Sequence, residues 1–237
     1  MDRTTLPAPD QNGIIPALPE NLSEANCQKL RKFGTFMFLY DLIQDHFVRP
    51  YIHKASAKRH HQIVKTQISF LKDARVLDIG CGTGAAIPHF DSSNEYTGLD
   101  LSYAMLKEAR KKLRTNPFKH AMLIQGSAEQ LPFGDGSFDF VLMDTTLHMI
   151  PEYRSAVSEI ARVLTTGGIW VCTTPAVGLN EAFDANWKKI SGKRGLHSFT
   201  ETELQGLCLQ NGLNYHRHDT NGGVLYFSAS KQSTVMI

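Results

Sequence analysis

Apolar side chains recur at three- and four-residue spacing through Phe33, Phe36, Met37, Tyr40, Ile43 and Phe47, and Phe38 and Leu39 widen the stripe. That period predicts an amphipathic helix from Ser23, with Glu24 in its first turn, to about Phe47. A second helix is expected over residues 52–71. Beyond it the apolar runs shorten, and residues 76–79, 96–100, 120–125, 137–144 and 169–174 read as strands. Helices are expected between them at 85–90, 103–114 and 151–164, and this alternation predicts a parallel sheet covered on both faces. A helix over 200–211 and strands near 213–218 and 224–230 close the chain, with Asn221-Gly222-Gly223 as a hairpin signal. Residues 1–22, with Pro7, Pro9, Pro16 and Pro19 and little periodicity, read as a flexible tail, disordered or lying along the surface. Residues 175–198 exceed a bare connection and read as an insertion that helps close a substrate site. The expected division is therefore a tail (1–22), a helical segment (23–72) and an α/β core (73–237).

The strand at 76–79 runs into Gly80-Cys81-Gly82-Thr83-Gly84, three glycines within five residues. A strand, a glycine-rich turn and a helix together bring backbone N–H groups close to a nucleotide-like ligand. Gly80 and Gly82 carry no Cβ, so the chain can turn sharply and a ligand can lie on the peptide plane. By spacing alone, Gly80, Gly82 and Ala85 also satisfy a dinucleotide fingerprint. Asp78 decides between the readings. Its carboxylate is expected at the mouth of the loop, where a pyrophosphate would meet a like charge and an ammonium or sulfonium would be attracted. Asp100 ends the next strand, 16 residues past Gly84, where a carboxylate can accept hydrogen bonds from a ribose diol.

This stretch resembles the glycine-rich first motif of the class I S-adenosylmethionine (SAM)-dependent methyltransferases, in the small-molecule branch of methyltransferase type 11, similar to the ubiquinone and menaquinone methyltransferases. Specific likeness runs over about residues 74–174. Asp100-Leu101-Ser102 with Met105 matches the family's D-x-S-x-x-M, implying that Leu101 and Met105 touch the nucleoside. Residues 126–133 resemble the G-D-A-x-x-L-P-F loop around adenine, implying roles there for Ser127, Ala128 and Glu129. Ser127 stands where the family usually has Asp, so a neutral hydroxyl replaces a carboxylate, a difference of about 1 kcal/mol. Residues 137–141 resemble S-F-D-x-V, and residues 162–168 resemble R-V-L-K-P-G-G with Thr165-Thr166 in place of Lys-Pro.

The resemblance implies a Rossmann-like, doubly wound seven-stranded sheet with one antiparallel strand, and SAM as cofactor. Asp78, Gly80, Cys81, Gly82, Gly84 and Asp144 complete the expected cofactor residues, with Asp144 beside the transferred methyl. The family's pre-domain segment folds over the site as a helical lid. Here that makes Phe36 and Tyr40 candidates for substrate contact, and Tyr40-Asp41 resembles the Tyr-Asp pair of many relatives. His148, directly after the fourth strand, is the first candidate for a general base, since an imidazole titrates near pH 6.5. Tyr40 and His197 are further candidates.

Composition adds boundaries. Hydrophobic residues make up 42% and charged residues 20% of the chain, and a net charge of +2 without a basic run argues against nucleic acid. No apolar stretch suffices for a membrane span, and the N-terminus has no signal-peptide core, so a cytoplasmic location is expected. Cys27, Cys81, Cys172 and Cys208 form no CxxC pair, and neither metal nor disulfide is expected. His60 and His61 point about 100° apart on a helix and read as a solvated face rather than a metal pair. His216 and His218 share a strand face without a third ligand nearby. The N/D/S-P-P-Y/F motif of base methylases is absent. The reading is a SAM-dependent methyltransferase acting on a small, partly apolar metabolite, with O-methylation favoured over S- or N-methylation. Two alternatives stand beside it: a SAM-binding protein of this fold without methyl transfer, acting as a partner subunit or in non-transfer SAM chemistry, and a nicotinamide-dependent oxidoreductase, which Asp78 opposes.

Overall fold

A computed structural model describes residues 6–22, 24, 26 and 40–232 of the chain. Most of the expected first helix, Phe36 included, lies outside the described residues, as does Cys27. The elements are β1 (Ile14–Pro16), α1 (Tyr40–Ile43), a π-helical segment (Gln44–Ile52), α2 (Ala57–Ile68), β2 (Arg75–Ile79), β3 (Glu95–Asp100), α3 (Tyr103–Thr115), β4 (His120–Gln125) and β5 (Phe138–Asp144). They continue with α4 (Tyr153–Val163), β6 (Leu164–Val177), α5 (Glu181–Arg194), β7 (Phe199–Thr200), α6 (Glu201–Gln210), β8 (Leu213–Asn221) and β9 (Val224–Lys231).

The sheet order is β1-β4-β3-β2-β5-β6-β9-β8, with the two-residue β7 paired to β6. β9 alone runs against its neighbours β6 and β8. The seven expected strands are present, and β1 and β7 are additions. The chain winds outward from β2 through β3 to β4, then crosses to β5 on the other side of β2. That reversal opens a crevice at the carboxyl ends of β2 and β5.

Alternate residues of one strand feed the two faces. On β5, Val141 and Met143 pack under α4 and α6, with Val157, Ile160, Leu204 and Leu207. Phe140 and Leu142 face α2 and α3, with Val64, Ile68, Leu106 and Ala109. Both faces are buried, which is why these strands read as nearly continuous apolar runs.

Two local results differ from expectation. Within the tail, Ile14–Pro16 adds an edge strand in parallel register with Leu123–Gln125. Asp10 receives the N–H groups of Asn12 and Ile14, Gly13 turns at φ +69°, and Asn12 donates to the Tyr103 hydroxyl. Three residues ending in proline give almost no periodic signal, and proline suits an edge. The helix expected to end near Phe47 instead continues as π-helix through Pro50 to Ile52. Pro50 cannot donate to the carbonyl four residues back, and the wider turn carries it.

The β8–β9 hairpin reaches back to this segment. Asn221 accepts from the Ser56 N–H at 2.9 Å and donates to the Ser56 carbonyl at 2.8 Å, while the Gly223 N–H donates to the His53 carbonyl. Gly222 has φ +59°, and a Cβ there would collide with the Lys54 carbonyl. Gly222→Ala is therefore expected to cost about 2–4 kcal/mol in urea unfolding. A loss below about 0.5 kcal/mol would contradict the close approach.

Candidate active site

A cavity of 480 Å³ occupies the crevice at the strand reversal, lined by the ends of β2, β3 and β5, the loop after β4, and the α1 and π-helical segments. Its size suits a ligand of nucleoside dimensions. Gly80 turns at φ +68°, where a Cβ would strike Thr146. Gly82, at φ +54°, leaves open space: a Cβ would meet nothing nearer than the Gly80 carbonyl at 3.9 Å. Gly84, expected beside the ligand, does not line the cavity; its missing Cβ lets the turn pack against Ile87 and Ala109 of α3.

Three acids converge on this space. Asp100 accepts the Gly82 N–H at 2.9 Å and the Ser102 N–H at 2.7 Å, which fixes its carboxylate while leaving lone pairs toward the cavity. Asp78 lines the cavity but sits at its floor rather than at the mouth of the loop, 2% exposed, accepting from the Tyr96 hydroxyl at 2.8 Å. Burial raises its carboxyl to about 7 against the pull of that hydrogen bond, and the charges of Asp144 and Asp100 add to the rise.

Asp144 behaves oppositely. Burial works to raise its carboxyl, but the charge and hydrogen bond of His60, the nearby Arg49 and the Thr173 hydroxyl outweigh that and hold it well below the usual carboxylate range. His60 lies between Asp144, at 3.1 Å from Nε2, and the Tyr226 hydroxyl, at 2.8 Å from Nδ1. It is 1% exposed, so the solvated face expected for His60 is wrong. The helix turns it inward with Val64 and Ile68, four and eight residues on, and that spacing was the available signal. His61 does lie at the cavity edge, half-exposed and paired with Asp45 at 2.8 Å. Thr145 adopts φ +47° directly after Asp144, with its N–H bonded to Thr173, a strained link of the kind found at sites.

The pre-domain segment closes one side. Asp41 accepts from Thr83 at 2.6 Å and from Lys112 at 2.7 Å, clasping α1 to the glycine loop. Tyr40 lines the cavity, its phenol pushed up to about 12 by burial and the neighbouring Asp100. Arg49 projects from the π-helix to the same wall and pairs with Asp45 at 2.6 Å. Sequence reasoning missed Arg49 and Lys112, which belong to no motif, and Thr83, which lies within the glycine loop but was given no role.

Cys81, Leu101, Met105, Ser127, Ala128 and Glu129 all line the cavity. The Ser127 hydroxyl accepts from the Glu129 N–H at 3.2 Å, and the Glu129 carboxylate receives Asn26 and the Glu152 N–H. Besides Gly84, two expected residues lie elsewhere. His148 is buried behind the cavity wall, edge-on to Trp187 and His53 with ring centres 5.6 and 6.3 Å away. The turn after β5 points the histidine into this aromatic cluster with Phe183, while Thr145 and Thr146 face the ligand space. His197 stacks with Tyr153 and Phe199 and pairs with Glu203 at 3.0 Å, also outside the cavity.

A methyltransferase-domain family profile matches residues 77–172. The chain is 33% identical over 163 residues to the demethylmenaquinone methyltransferase of Anoxybacillus flavithermus, covering 64% of this chain and 68% of that one. It belongs to the class I SAM-dependent methyltransferases. The Bacillus subtilis demethylmenaquinone methyltransferase is 32% identical, with 64% of this chain and 76% of that enzyme covered. For the Staphylococcus aureus enzyme, 37% identical, the chain spans about half the relative, 49%. Among solved structures, the phosphoethanolamine N-methyltransferase 2 of Haemonchus contortus in complex with S-adenosyl-L-methionine matches with a TM-score of 0.69 at 18% identity, covering 91% of this chain and 62% of that one. A SAM-dependent methyltransferase of Thermotoga maritima gives 0.63 at 23% identity, covering 86% and 99%. These two show the shared fold. The cofactor of this methyltransferase is SAM, and the open peptide face at Gly82 and the ring of acids suit its adenosyl and cationic parts.

The Asp78 environment sets a pH dependence of stability. Its folded carboxyl binds a proton more tightly than the unfolded one, so its contribution falls as pH rises from about 4 to about 7 and then levels. In urea titrations of the ligand-free protein, Asp78→Asn should gain on wild type by up to roughly 1.4 kcal/mol per pH unit over that interval. A pH-independent difference would contradict the assigned burial.

Proposed function

We propose that this methyltransferase transfers the methyl of SAM to a small, partly apolar ring compound of the phenol or quinol type. The observation that carries the reading is that one cavity runs from Asp100, Leu101 and Ser127 to Asp144, Met149, Ile150 and Tyr40. The first group suits a nucleoside and the second an apolar ring. The names of the demethylmenaquinone methyltransferases support a quinone-type acceptor; the preference for oxygen over sulfur or nitrogen is this reading's own and does not come from those names.

SAM supplies an electrophilic methyl on a sulfonium. Asp100, held by two backbone N–H groups, is placed to accept hydroxyl hydrogens of a ribose. Ser127, Ala128 and Glu129 would hold the adenine edge, and Leu101 and Met105 would pack against its faces. Asp78 and Asp144 put negative charge at the far end, where a cationic group is stabilised in a partly desolvated space. His60 is a positioning residue: through its bond to Asp144 it keeps that carboxylate ionised and in place. Tyr40, on the lid, closes over the acceptor and helps exclude water. Alignment within such a space is the largest contribution available to a displacement, roughly 7–11 kcal/mol.

Incubation with SAM and a panel of phenols, naphthols and reduced naphthoquinones should yield S-adenosylhomocysteine and a product heavier by one methyl, read by mass spectrometry. No turnover on any hydroxylated ring would overturn the acceptor class. Asp100→Asn should weaken SAM binding about tenfold or more in calorimetry. His60→Ala should lower kcat about tenfold or more while leaving S-adenosylhomocysteine affinity within a few-fold. Unchanged kcat would remove His60 from the account.

A further inference from the structure

Arg49 contributes its charge to Asp144, but its guanidinium has no direct partner in the cofactor arrangement above. Its side chain is 8% exposed and lies on the cavity wall. One ion pair restrains it, through Nη1 to Asp45, which lies one helical turn earlier. Its Nε–H is fully buried and has no hydrogen-bond partner among the described residues. A buried charged donor left unbonded is costly, and such a cost is tolerated where a ligand completes the shell. Arg49 is the buried residue of the π-helical segment, directly before Pro50, and π-helical turns concentrate at functional sites.

The surroundings say which ligand. The charge of Arg49 bears on Asp144, His53 and Tyr226, around and beyond the carboxyl end of β5, and on Tyr40 and Asp41 of its own segment; of these, Asp144 and Tyr40 line the end assigned to the acceptor. The glycine loop at the other end has its own cation, Lys112, bound to Asp41 and Thr83. The wall of the same cavity also carries the apolar side chains of Met149 and Ile150. A flat apolar ring bearing an acidic hydroxyl satisfies both features, since its body meets the apolar wall and its anionic oxygen takes the free guanidinium donor.

We infer that Arg49 receives the ionised oxygen of the acceptor, so that the substrate class is a weakly acidic hydroxylated ring bound as its anion. The inference rests on the acceptor class proposed above and makes it narrower. The acceptor O–H proton passes to solvent before or during binding. The oxygen, or the ring carbon it activates, then forms the bond to the methyl carbon. The carbon–sulfur bond breaks with its electron pair going to sulfur; for transfer to carbon, the ring proton also leaves to solvent. No histidine base is then required at the acceptor, which agrees with His148 being turned away from the cavity.

The test uses lawsone, a hydroxynaphthoquinone that is anionic at neutral pH, and menadione, an uncharged methylnaphthoquinone of similar shape. Each is titrated into protein saturated with S-adenosylhomocysteine. Wild type should bind lawsone more tightly than menadione. Arg49→Gln should lose lawsone affinity about tenfold or more, with menadione and S-adenosylhomocysteine affinities unchanged within a few-fold, and Arg49→Lys should recover part of the loss. Three results would overturn the inference: no lawsone preference in wild type, an Arg49→Gln variant that binds lawsone as wild type does, or a loss confined to S-adenosylhomocysteine in both variants, which would place the cofactor carboxylate on Arg49. Failure of wild type to bind S-adenosylhomocysteine at all would instead count against the site itself.

Discussion

Three carboxylates, Asp78, Asp100 and Asp144, end three neighbouring parallel strands and face one partly desolvated space. Like charges so arranged repel, and burial penalises each of them. The protein answers each differently. For Asp100 two backbone N–H groups offset part of a burial that still raises its carboxyl, and for Asp78 burial raises the carboxyl to about 7 against the hydrogen bond that the Tyr96 hydroxyl donates. Asp144 alone is held firmly ionised, through His60, Thr173 and the nearby Arg49. What remains is a preference for positive charge, which suits the cationic end of SAM.

Much of the remaining architecture serves this arrangement. His60 can reach Asp144 because α2 is fixed at its start by Asn221 and the glycines of the β8–β9 hairpin, while Tyr226 on the same hairpin fixes the other ring nitrogen. The lid is tied to the same centre through Asp41, which joins Thr83 of the glycine loop to Lys112 of α3. These bonds are partly exposed and therefore individually weak.

The core of the fold was legible in the sequence because its signals are local. Strand and helix periods, the glycine loop, and Asp100 at its fixed distance each sit within a few residues of one another. β1 was not legible, since three residues with a proline carry no period, and its pairing partner lies more than one hundred residues away. Expected residues at or just after the carboxyl ends of the parallel strands do line the cavity: Asp78, Asp100, Asp144, Leu101, Met105 and Ser127. Sequence reasoning failed where a turn decides direction. His148 follows β5 as expected, but the strained Thr145 rotates the following turn so that the histidine enters the Trp187 cluster. His60 was misjudged because its partners, Tyr226 and Asp144, are 166 and 84 residues away, a separation that helical pattern cannot register.

The electrostatic account is tested most directly by the protons exchanged when SAM binds. Calorimetric titrations at pH 7 in buffers of different ionisation enthalpy give that number without reference to the acceptor. With the Asp78 carboxyl near 7 in the free protein, arrival of a cation should release a fraction of a proton, and Asp78→Asn should abolish the release. Binding of SAM with no proton release in wild type, or with the same release in the variant, would contradict the claim that these acids select a cationic cofactor.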